Sequence, residues 1–150
     1  MTPVLRILIV ANETIEGTRL RRAIWTRAAR AAADVLVVAP ALNSRLRHWL
    51  SDEDEARRNA ESRVRNCLAG LAVAGIHAGG VVGDADPLQA LADALRVFPA
   101  DELIISTRPE HRSHWLARDL VGRARARYGL PAVHIEGAGY QTEVNAAAGF

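Results

Sequence analysis

ELIISTRPEHRSHWLARDLVGRARARYGLPAVHI, residues 102–135, is the stretch on which the fold turns. It opens on an apolar run rich in β-branched residues, ELIIS, and crosses a polar loop. The spacing then predicts a helix from about Ser113 to Tyr128 and a second short strand, PAVHI. Two short apolar strands joined through a helix form the parallel β-α-β unit, because parallel neighbours need a crossover of a dozen residues or more. In an open α/β sheet the loop beyond the first strand of such a unit is where ligands sit. A phosphate-binding loop there normally carries glycine, which lets the backbone approach the oxygens closely. Between Ser106 and Val121 there is no glycine.

The loop still carries charge. Arg108, His111 and Arg112 lie close together, and Ser113 is spaced as the N-cap of the last helix. Arginine forks at a helix N-terminus hold an anion without glycine. Solvated loop charges are the more ordinary reading of the same residues, and both readings stay open.

Working outward, the same alternation recurs to the N-terminus. VLRILIVA (4–11) and DVLVVAP (34–40) are apolar runs of the kind found in buried parallel strands, with a helical stretch to about Ala33 between them. Ser51 opens a capping box ahead of a helix to about Ala74, with Val64, Cys67, Leu68 and Leu71 as its inner stripe and Gly75 as its stop. IHAGGVVG (76–83) is the third strand. Asp86 then caps a helix with Pro87 at its first position and Leu88, Leu91, Ala92 and Leu95 as its apolar face. The pattern β-α-β-α-β-α-β-α-β predicts a single α/β domain over 1–136, a doubly wound sheet with helices on both faces. The segment 137–150 reads as a flexible tail. Strand order is not readable from periodicity.

Composition removes whole classes of function. No apolar run approaches the ~18–20 residues of a membrane span. The N-terminus enters a strand without the features of a signal peptide, which points to the cytoplasm. All 19 basic residues are arginines, offset by 17 acids to a net charge of +2, so the basic pI reflects residue bias and makes no case for nucleic acid. Without a lysine, Schiff-base and Walker-type phosphate chemistry are excluded. One cysteine, Cys67, excludes an internal disulfide and reads as a small buried hydrophobe. The five histidines show no metal-ligand spacing. Asp84 and Asp86 read as a turn and a cap. No nucleophile, general base or paired carboxylates stand out, so no catalytic residue is assigned.

RILIVANET, ADVLVVAPA, FPADELIISTRP and YGLPAVHI, taken in order and spacing, resemble the universal stress protein family across residues 4–135. The resemblance implies a five-stranded parallel sheet of order 3-2-1-4-5 and a homodimer paired through strand five. It also implies an adenine-nucleotide site, carried here onto Ala11, Asn12, Val38, Ser106 and Thr107. Arg108, Arg112 and Ser113 join them from the reading of the loop itself. The chain departs from the family at its ligand motif, G-x-x-G-x9-G-[S/T]. Asn12 stands where ATP-binding members carry aspartate. The first two motif glycines fall on Ser106 and Pro109, and the last Gly-[S/T] on Asp119-Leu120 or Arg118-Asp119. Proline also removes an N–H donor. The expectation is a stress-protein-like regulatory or scaffold protein that does not bind ATP in the family's usual way. The alternative is a small-molecule or adenine-nucleotide sensor whose phosphate loop is rebuilt with arginine.

Overall fold

Five strands run parallel in one sheet, in the order β3-β2-β1-β4-β5. They are β1 (Val4–Ala11), β2 (Ala32–Pro40), β3 (Ala78–Gly83), β4 (Glu102–Thr107) and β5 (Ala132–Glu136). Three described helices connect them: α1 (Asp52–Val73), α2 (Pro87–Val97) and α3 (His111–Tyr128). The computed structural model describes residues 4–11, 32–41, 52–73, 75–107 and 111–136, with Arg22 and Thr26. The expected first helix, apart from those two residues, and the tail 137–150 lie outside the described residues, as do Trp25, Trp49 and the side chain of Trp115.

Period-two alternation along the strands divides the core into two layers. Ile7, Ile9, Ala11, Val35, Val37 and Ile104 pack under α1 against Ala60, Val64, Cys67 and Leu71. Leu8, Val10, Val38, Leu103 and Ile105 face the other way, onto Ala90, Leu91 and Ala94 of α2 and Leu120, Val121 and Ala124 of α3. Each fully enclosed Leu or Ile contributes about 1.5–3 kcal/mol relative to exposure. Central strands buried on both faces explain why β1 and β4 read as unbroken apolar runs. Among the described residues, no helix is long and apolar enough to cross a membrane.

Element ends follow local hydrogen bonding. Gly75, at φ 81°, closes α1 with its N–H on Ala72 O at 2.9 Å and the Ile76 N–H on Leu71 O at 2.8 Å. This paired arrangement satisfies the last carbonyls of the helix. Ile76 is thereby committed to the cap, and β3 starts at Ala78 rather than at Ile76. Ala32 and Ala33 join β2 because they pair with Val4 and Leu5 of β1, so the strand begins two residues before the apolar run. In α2 the buried face centres on Ala90, Leu91 and Ala94, with Leu88 and Leu95 at its margin and Ala92 half-buried. Small residues take the centre because the helix lies close over the sheet.

Ser113 does not cap α3. The helix starts at His111, which makes Ser113 its third residue. A proline restricts the residue before it, Arg108, and leaves those after it free to enter a helix.

Candidate functional site at the end of strands one and four

The crevice of an open α/β sheet opens where the chain leaves neighbouring strands toward opposite faces. In this order of strands that point lies between β1 and β4. Ala11 and Ser106 are register partners at their C-terminal ends. Both belong to the α1 face of the sheet, Ala11 beyond Ile9 and Ser106 beyond Ile104. Ser106 is fully buried at 0% exposure, and its Oγ finds no hydrogen-bond partner among the described residues. A buried hydroxyl left unsatisfied costs about 1–3 kcal/mol. Its position at the strand switch is what makes it the candidate residue of the site.

The loop from β3 to α2, at the edge of the sheet beyond β2, is held by its own side chains. Asp84 Oδ1 accepts from the Asp86 N–H at 2.8 Å, and Asp86 Oδ1 accepts from the Leu88 N–H at 3.0 Å. Pro87 occupies the first turn, where its missing N–H costs nothing. Both aspartates therefore serve the turn and the cap, as their spacing indicates. Gly83 lets the helix approach: a Cβ there would lie 2.7 Å from Ala90 Cβ and 2.9 Å from Val38 Cγ2.

Of the residues predicted for a site, the structure brings Ala11 and Ser106 together. Val38 is enclosed on the opposite face, in the layer packed by α2 and α3. Thr107 ends β4, its backbone in register with Glu136 of β5. Arg112 and Ser113 lie in the first turn of α3, which places their backbone beyond the end of β4. Asn12, Arg108 and the side chains of Thr107, Arg112 and Ser113 lie outside the described residues.

Two polar residues near this architecture escaped the reading of the sequence. Arg63 of α1 donates through Nη2 to the Pro40 carbonyl, tying the end of β2 to the helix. Its helical position, between Ala60 and Cys67 of the inner stripe, is the signal that marks it. His134 is buried in β5, two residues beyond Ala132 on the α3 side of the sheet. Alternation along the strand is the corresponding signal.

Cys67 adds no chemistry. Burial pushes its thiol from the ordinary 9.0 up to about 11, so it stays protonated and poorly nucleophilic at neutral pH. Among the described residues, no group of three or more His, Cys, Asp or Glu side chains could hold a metal ion.

A five-stranded parallel sheet of this order, with its switch point between β1 and β4, defines an α/β domain with the universal stress protein fold. A universal stress protein from Archaeoglobus fulgidus aligns with a TM-score of 0.66 at 16% identity, covering 88% of this chain and 93% of its own. A member of the family from Burkholderia pseudomallei aligns at 0.57 and 18% identity, covering 88% and 96%. An Arabidopsis thaliana family protein, solved with AMP bound, aligns at 0.52 and 10% identity, covering 90% and 93%. No protein-family model matches the sequence, and no curated protein matches it. At these identities the likeness is one of fold.

Proposed function

We propose that this chain is a universal-stress-protein-like regulatory or scaffold protein that does not bind ATP in the manner of the family's ATP-binding members. One observation carries this reading. The first two positions of the family's glycine motif are Ser106 and Pro109 here, and the later part of the motif falls in a continuous helix, His111–Tyr128, with no glycine before Gly122. The positions corresponding to the last Gly-[S/T], Asp119-Leu120 or Arg118-Asp119, lie in its interior in either register. Interior helical N–H groups are committed to carbonyls one turn earlier and are not available to cradle phosphates. Only the first turn of α3 retains unspent donors.

The test is thermal denaturation with millimolar ATP. A micromolar binder would add roughly 4 kcal/mol at a thousandfold excess over its dissociation constant. The expected shift in Tm is below about 2 °C, since a weak or absent binder adds little by the same relation. A clear upward shift overturns the proposal.

A second reading, a small-molecule or adenine-nucleotide sensor, is favoured by the buried Ser106 hydroxyl at the switch point. AMP in the Arabidopsis neighbour makes it the first ligand to try. Calorimetric titration with AMP, on the wild type and on Ser106→Val, separates the two readings. Binding that is weakened by the substitution supports the sensor; no binding to either protein sinks it for AMP.

A further inference from the structure

α2 and α3 cover the same face of the sheet, but they rest on different strands, α2 on β2 and β3 and α3 on β4 and β5. Between them lies a cleft of about 410 Å³. Leu88 and Leu91 of α2 line one side, and Arg123, Ala126, Arg127 and Tyr128 of α3 line the other. That volume falls in the range of small-molecule sites. The cleft runs between helices rather than along an outer strand, so it leaves pairing through strand five untouched. It is also separate from Ser106, which belongs to the α1 face of the sheet.

The lining has two chemical halves. Leu91 is fully enclosed, Leu88 is half-buried, and Ala126 is too short to fill the space in front of them. None of the six residues is acidic, and Arg123 and Arg127 stand one turn apart on the α3 wall. Arg123 spends one donor on Asp119 at 3.3 Å, in an exposed pair that holds it only weakly. A guanidinium carries five N–H donors, so most of them remain. Arg127 lies over the Tyr128 ring at 5.7 Å. Attraction to a ring face requires no N–H donor, so its planar fork stays available to a carboxylate. Basic residues in the last turn also suit the helix dipole, which accounts for the charge but not for the apolar wall opposite.

We propose that the cleft between α2 and α3 binds a small organic anion with an apolar body, of the aryl carboxylate class. Leu88, Leu91 and Ala126 take the ring, and Arg127, joined by Arg123, meets the carboxylate. A neutral ligand of the same shape gains only the apolar half. A bare anion gains only the charged half, which water and salt screen at an open site. The cleft is independent of what the end of strands one and four binds, so failure of either reading leaves the other standing.

The experiment titrates the full chain with naphthoate, read by calorimetry and amide NMR, beside naphthylmethanol and acetate as the two halves of the ligand. Naphthoate should saturate with a dissociation constant at least about tenfold below that of either half, as one well-formed contact to a charged group provides. Amide shifts should gather at Leu88–Leu91 and Arg123–Tyr128 and spare Ala11 and Ser106. Arg127→Gln should weaken binding about tenfold. Ala126→Leu, which fills the cleft from an exposed helical position, should abolish it. Both substitutions put good helix formers at exposed sites, and unchanged melting temperatures confirm that the variants fold. Arg57→Gln, an exposed position on α1 across the sheet, should bind as the wild type does. No saturable binding at millimolar naphthoate overturns the proposal. So does equal affinity for the alcohol, an equal loss in Arg57→Gln, or a set of shifts centred on Ala11 and Ser106.

Discussion

Two loops leave the same end of the sheet, and they treat their polar groups in opposite ways. From β3 to α2 both aspartates are spent, one on the turn and one on the cap, and Gly83 lets the helix settle against Ala90 and Val38. At the end of β4, Ser106 is as deeply buried as the core and finds no hydrogen-bond partner among the described residues. Native folds satisfy nearly all buried polar groups, so such a hydroxyl is an exception that needs a physical reason. The comparison teaches that carboxylates, which draw the eye in a sequence, here do structural work. The hydroxyl, which does not, stands at the strand switch.

The largest expected effect of burial is at Cys67, which lies in the core beneath α1. Its raised value means the folded protein keeps the thiol proton after the unfolded chain has lost it. Stability is therefore full below pH 9.0 and falls as the pH rises toward about 11. The loss amounts to about 2–3 kcal/mol. Denaturant titrations of the wild type and Cys67→Ala across that window should show the extra decline in the wild type. Parallel slopes would mean that the thiol is open to water.

Gly83→Ala should cost about 2 kcal/mol, because a methyl carbon would meet Ala90 and Val38 well inside contact distance. Gly79→Ala is the control, with its nearest neighbour, Leu36 Cδ1, at an ordinary 3.6 Å. Equal denaturation midpoints for the two variants would deny that the β3–α2 loop depends on close packing. Asp86→Ala should cost about 1 kcal/mol, the usual value of an N-cap. A neutral result would remove the carboxylate from the structural column and reopen it as a ligand group.

The smallest expected effect is the most telling. Ser106→Ala should leave stability within about 0.5 kcal/mol of the wild type or raise it slightly, since it deletes a polar atom with no hydrogen-bond partner among the described residues. A cost above about 1 kcal/mol, read from urea unfolding, would show that the hydroxyl is satisfied inside the protein. The contrast between the two loops would then disappear.

Much of this was legible in the residues. The cap at Asp86-Pro87, the stop at Gly75 and the stripe Val64, Cys67, Leu68 and Leu71 all emerge where their spacing indicates. Each depends on neighbours within a turn or two of helix. The reading failed where a distant partner decided the outcome. Ala32 and Ala33 became strand through pairing with Val4 and Leu5, and no local preference announces that. Ser113 has the chemistry of a cap but lies inside α3, which begins two residues earlier. For the candidate site, the missing glycines were visible in the sequence, whereas the burial of Ser106 beside Ala11 was not.

The sequence by itself determined the class of fold and the absence of lysine chemistry, because periodicity, capping and composition act over short separations in the chain. Strand order carries no such local signature, and here it was expected from the resemblance and then seen in the sheet. Only the tertiary structure decided that Ala11 and Ser106 meet at the strand switch and that Val38 faces the other way. Only it could show that Arg125 of α3 donates to the Ala132 carbonyl of β5. These juxtapositions depend on which strand lies beside which and on the hand of each crossover, and those are settled when the whole sheet closes over both layers of its core.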